Sequence, residues 1–156
     1  MDFKVGIMAT NKRISHQHVK VTRGSDLKPE PISWLWMPWL ALGKLHILSG
    51  ASGSGKTTIS MALAAIVSTG GYWPDGSQSS VGNVVIWSGE DDPQDTLLPR
   101  LMLAGADRDR IHFITGIEDE EGHQAFDPAV HVRSLMRQLK EIGDVCLLII
   151  PIFDRS

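Results

Sequence analysis

Gly50-Ala51-Ser52-Gly53-Ser54-Gly55-Lys56-Thr57 satisfies G-x-x-x-x-G-K-[ST] at every fixed position. Residue types in this order suit a polyphosphate. Glycines let successive backbone N–H groups turn toward one anion, and a helix starting at the lysine offers its positive end to the same charge. Lys56 then reaches the β- and γ-phosphates of a nucleoside triphosphate and the Thr57 hydroxyl ligates Mg²⁺, with Thr58 counted in the nucleotide-binding set. A plain Gly/Ser-rich turn between core elements is the competing reading, and the intact Lys-Thr pair argues against it.

A second candidate group is Ser88-Gly89-Glu90-Asp91-Asp92, which follows the apolar run Asn83–Trp87. Phosphoryl transfer to water needs a carboxylate that orients the attacking water, and Glu90 is best placed to be that general base. Asp92-Pro93 reads as a helix N-cap followed by proline at the first helical position. Asp92 is therefore assigned to capping, and Asp91 is left open.

The elements that must position these groups are written in the periodicity. Leu45-His46-Ile47-Leu48 reads as a short buried strand entering the loop, and Lys56–Thr69 as a buried helix, apolar on nearly every side and stopped by Gly70-Gly71. Asn83–Trp87, Ile111–Ile114 and Val145–Ile150 read as further strands, the last of the continuously apolar, parallel-sheet kind. Gln94–Ala104 reads as a helix, as does the stretch opened by Asp127-Pro128, with Val132, Leu135, Met136, Leu139 and Ile142 as its stripe. Gly70–Gly82, with the turn Pro74-Asp75-Gly76, and acidic Gly116–Asp127 read as surface loops. Strands alternating with helices imply an α/β fold with a mainly parallel sheet and right-handed crossovers. In such sheets ligands sit beyond the C-terminal strand ends, which puts the acids on the edge of the phosphate loop.

With 156 residues, 42% of them apolar and 21% charged, the chain has ordinary globular composition and suits one domain. A single cysteine, Cys146, excludes a disulfide framework and favours a cytoplasmic setting, and no signal peptide or membrane span is visible. Residues 1–30 carry six Lys/Arg against three acids, a net of +3 within a chain of −3. They read as a basic, partly disordered leader preceding a nucleotide-binding domain over residues 31–156. Trp34, Trp36 and Trp39 either stack on a base or fill an edge or interface. Arg100 reads as a solvated helix cation, His112 as a core or edge histidine, and Glu118, Asp119, Glu120 and Glu121 as a solvated face.

Taken together, Trp34-Leu35-Trp36…Gly43-Lys44, the phosphate loop, Trp73-Pro74-Asp75-Gly76, Ser88-Gly89-Glu90-Asp91-Asp92 and Pro99-Arg100-Leu101…Ala104-Gly105-Ala106-Asp107 resemble AAA-family ATPases of the RecA type. The likeness is to the bacterial and phage RepA hexameric replicative-helicase group. The resemblance covers about residues 30 to 150. It implies a three-layer RecA-like core, Mg²⁺·ATP hydrolysis with Glu90 as catalytic glutamate, and a homo-hexamer coupled to single-stranded DNA.

Two departures qualify it. The family pattern has a metal-shell aspartate directly after the last apolar strand, whereas here Ile150 is followed by Pro151-Ile152-Phe153-Asp154. Asp154 can serve only if the strand runs on past Pro151, which donates no ladder hydrogen bond. The chain also reads as the N-terminal part of such an ATPase, with the C-terminal strands missing. Beside an ATPase related to helicase or recombination work stand a nucleotide-binding module with little hydrolysis and a small-molecule kinase. The acidic 118–121 loop argues against the kinase, and the lack of an L-S-G-G-Q-like signature against an ABC ATPase.

Overall fold

Val84, Val85 and Ile86 are apolar, β-branched and at most 2% exposed, which is what a strand covered on both faces requires. They form the centre of β3 (Asn83–Trp87). In the computed structural model, which describes residues 19–89, 91–120 and 122–150, β3 pairs in parallel with β4 (Ile111–Ile114) on one side and β7 (Val145–Ile149) on the other. The sheet order is β4-β3-β7. The backbone divides into two units, residues 1–31 and 32–156. In the first unit the described residues are all exposed and hold one 3₁₀ turn, Gly24–Asp26.

Helix α1 (Lys56–Thr69) and helix α2 (Leu98–Leu103) cover one face of this sheet. Met61, Ala64, Val67, Leu97 and Leu101 meet Val84, Ile86 and Ile111 there in one core. α1 ends at Gly70, whose φ of +66° suits glycine and whose N–H closes the last turn. Helix α3 (Val132–Ile142) packs against β7. It buries Leu135 but leaves Val132 and Met136 about half exposed. Asp127-Pro128 does not open it directly. Asp127 closes one separate turn, its side chain accepting from Ala129 N and its carbonyl from His131 N, and the helix proper begins at Val132.

Further expectations are corrected. Leu45–Leu48 is no strand: it pairs with nothing, and Leu45, Ile47 and Leu48 are 87%, 70% and 48% exposed. A strand exists only where it forms a ladder with a neighbour, and the sheet of described residues is made by β4, β3 and β7 without this run. α1 likewise is buried along one side only, with Ile59 and Ala62 exposed. The acidic 116–127 stretch is not a simple loop, because β5 (Ile117–Asp119) and β6 (Gly122–Gln124) form an antiparallel hairpin in it.

A second small hairpin, β1 (Trp34–Trp36) with β2 (Leu40–Ala41), carries the tryptophans. Trp36 stacks on Trp73 at 4.9 Å and donates its indole N–H to Asp75 at 2.9 Å. Trp73 is thereby buried, although its loop reads as a surface loop. Asp75 also accepts from the Ser77 hydroxyl and the Ser77 N–H, and these bonds, the Ser77 hydroxyl foremost, hold its carboxyl below the usual 3.8. A depressed folded value stabilises fully above the unfolded value and is lost as pH falls through the folded one. The Trp36 indole N–H resonance is therefore expected to stay put from neutral pH down to the ordinary aspartate range and to move below it. In Asp75→Asn that acid transition should vanish, and a Trp36 signal indifferent to acid in the parent would refute the link.

Candidate functional site

The phosphate loop runs from exposed Gly50 into the half-buried first turn of α1. Gly53 and Gly55 have φ of +76° and +87°, a region that side-chain-bearing residues rarely adopt. That conformation turns the chain back on itself. Ser54 N donates to Ala51 O, and Lys56 Nζ donates to Gly50 O at 2.7 Å and Ala51 O at 3.0 Å. The lysine thus closes the loop around its own ammonium. The first amides of α1, at Lys56, Thr57 and Thr58, point out of the helix end without intrahelical acceptors, as in every α-helix. A concave loop, a cation and a helix N-terminus meet here, and that set fits a polyphosphate.

The acid turn lies at the same end of the sheet, because α1 runs back along β3. Gly82, just before β3, donates its N–H to Val67 O near the end of α1, and α1 packs on β3 and β7. The 14 residues of α1 span about 21 Å and the five of β3 about 16 Å. The N-terminus of α1, with Lys56 and Thr57, therefore lies toward the end at which β3 delivers Ser88.

Beyond β3 the chain is tied by its own side chains. Asp92 Oδ1 accepts from Gln94 N at 2.7 Å and Asp95 N at 3.1 Å, capping the π-helical turn Pro93–Leu97 that leads into α2. Ser88 Oγ accepts from Asp91 N at 2.9 Å. This second tie is not among the expectations above, although serine at a strand end before Gly is a known turn former. Glu90 itself lies outside the described residues, as do Glu121, Asp154 and residues 1–18.

Other candidates are not drawn into this arrangement. Trp36 is engaged by Trp73 and Asp75, while Trp39, 6.0 Å from Trp36, is 63% exposed. Arg100 is exposed on α2. His112 sits on the edge strand β4 and lines a cavity of about 190 Å³ between α3 and the sheet. Its Nε2 is buried without a hydrogen-bond partner among the described residues. Glu118, Asp119 and Glu120 are exposed on the β5–β6 hairpin. Burial, then the neighbouring Asp144, pushes the Cys146 thiol upward, which disfavours a reactive thiolate. Among the described residues no three His, Cys, Asp or Glu side chains cluster as a metal site. No described helix is long and apolar enough to cross a membrane.

No curated protein and no solved structure matches the chain. The family model described as AAA domain matches residues 10–155, from within the basic N-terminal stretch to the next-to-last residue. A match over nearly the whole sequence leads to one statement. The chain belongs to the AAA domain family of nucleotide-binding P-loop ATPases.

Proposed function

We propose that this protein binds ATP in the 50–58 loop and hydrolyses it with Glu90 as the base that orients water. The observation that carries the reading is the Lys56-closed loop lying toward the sheet end that bears the acid turn. The loop amides and the first turn of α1 hold the phosphates, and Lys56 moves from its own carbonyls to the β- and γ-phosphate oxygens. There it stabilises the charge that grows on the leaving phosphate. Thr57, with Asp154 as a candidate second ligand, would hold Mg²⁺. When bound, the metal neutralises phosphate charge. Glu90 accepts the proton of the attacking water.

The finer assignment is a RecA-like, three-layer core of the RepA helicase type, a homo-hexamer that works on single-stranded DNA in the cytoplasm. Residues 31–156 are the nucleotide-binding domain and residues 1–30 a basic leader. Exposed Leu45, Ile47, Leu48, Ile59 and Leu148 support a larger assembly, since apolar surface of this extent suits further packing. A second reading, a nucleotide-binding module with little hydrolysis, is favoured by Pro151 standing where the family has its metal-shell aspartate.

The two are separated by measuring Mg²⁺-dependent ATP turnover, with and without single-stranded DNA, in the parent chain and in a variant with Asp inserted between Ile150 and Pro151. Restoring a metal ligand is expected to raise turnover by roughly tenfold or more. Equal rates would show that the parent's metal site is already complete. Indifference to DNA in both chains would remove the helicase assignment and leave the ATPase.

A further inference from the structure

We infer that the cavity between α3 and the sheet is a binding site for a single-ring molecule carrying one hydroxyl, of the phenol class, with His112 as its polar contact. Val84 and Ile86 belong to the core beneath α1 and α2, whereas Val85, between them on β3, is buried outside that core and lines the cavity on the other face. His112 is paired with Val85 across the β3–β4 ladder, so it shares that face.

The space exists because α3 closes on the sheet incompletely. Leu135 is buried, but Leu139, which lines the cavity beside it, is only half-buried, and about 190 Å³ is left. Protein interiors hold few voids larger than a water molecule, and an apolar void of about 150 Å³ takes up benzene. One aromatic ring with one small substituent therefore matches this volume, and a nucleotide does not.

The walls decide the rest of the ligand's chemistry. Val85, Leu135 and Leu139 are aliphatic, and Phe126, 6% exposed, offers a ring for edge or offset stacking. Against them stands His112. Its half-buried ring forms part of the wall, and Nε2, covered by protein, has no hydrogen-bond partner among the described residues. A buried nitrogen left in that condition costs free energy, which a hydrogen-bond partner offsets. The histidine Cβ–Cγ torsion is soft, so the ring can turn this nitrogen toward an entering hydroxyl. A hydroxyl both donates and accepts, and it therefore suits either role of the nitrogen.

The test titrates the full chain with phenol and with toluene in the parent, in His112→Phe and in Ser134→Leu, following the backbone resonances of α3 and, where present, those of the His112 ring by NMR. Phenol is expected to bind the parent saturably and to move the His112 ring signals. His112→Phe, which keeps a ring and loses the nitrogen, should weaken phenol roughly fivefold, the equivalent of one neutral hydrogen bond, and leave toluene within about twofold. Toluene thus reports any change in the room available. Ser134 is half-buried on α3 and lines the same space, so leucine there fills the cavity and should abolish binding of both probes. Leucine is a strong helix former, which keeps this second variant folded should His112→Phe fail to fold. A parent whose signals do not move saturably with phenol overturns the inference, and so does a cavity that holds water alone. Phenol binding undiminished in either variant, or phenol and toluene weakened alike in His112→Phe, overturns it as well.

Discussion

Lys56→Ala is expected to weaken ATP binding by roughly ten- to a hundredfold, the largest effect on affinity of any single substitution in the chain. Two losses combine. A hydrogen bond from an ammonium to a phosphate contributes about 1.5–3 kcal/mol, and the same ammonium shapes the loop by bridging the Gly50 and Ala51 carbonyls. The bridge ties the loop together, so its removal also frees the loop that must receive the phosphates. Lys56→Arg separates the two contributions, because guanidinium keeps the charge but not the compact geometry that reaches both carbonyls. It should fall between the parent and the alanine variant. Stability should change by about 1 kcal/mol or less, as the loop lies outside the core. Titration with a fluorescent ATP analogue measures the affinities, and undiminished binding by the alanine variant would remove the nucleotide site from this loop.

Glu90→Gln is expected to have the largest effect on rate, a fall in turnover of about 10²- to 10⁴-fold at unchanged ATP affinity. Glutamine keeps the size and the hydrogen-bonding reach of glutamate but cannot accept the proton of the attacking water. Binding depends on the loop amides and Lys56, which this change leaves alone. Loss confined to turnover is therefore the signature of a base, and loss shared with affinity is that of a phosphate or metal contact. Rapid-quench single-turnover measurements at saturating ATP read the chemical step directly. Undiminished hydrolysis would move the base elsewhere, with Asp91, tied to Ser88 in the same turn, as the next residue to substitute.

Much of this architecture is local enough to be legible in the order of residues. The helix Lys56–Thr69 and the strands Asn83–Trp87 and Ile111–Ile114 stand at the expected positions, and Val145–Ile149 ends one residue early. Each is announced by its own periodicity and punctuation. Asp92-Pro93 and Gly70 act as the expected helix start and stop, because a cap bonds to residues two or three positions away. The same locality makes the phosphate loop readable: Gly53 and Gly55 supply the positive φ, and Lys56 reaches back only five and six residues.

Leu45–Leu48 marks where such reading stops. Its apolar run matches a buried strand in composition, but burial and pairing belong to a neighbour, and no strand of the β4-β3-β7 sheet pairs with it. Trp36 is a similar case. Its place is decided by Trp73 and Asp75, 37 and 39 residues further on, so the aromatic cluster alone left base stacking and edge packing equally open. The acidic 116–127 stretch hides a hairpin for the same reason, since Ile117 and Gln124 define a register only when facing each other. By itself the sequence determined a phosphate-binding loop, its helix and an acid-bearing strand end. The alternation of strands and helices also set loop and acids toward one edge. Tertiary structure decided the contacts that seat the elements, Trp36 on Trp73 and the Gly82 N–H on Val67 O as α1 turns back along β3, because they join residues far apart that no local pattern pairs.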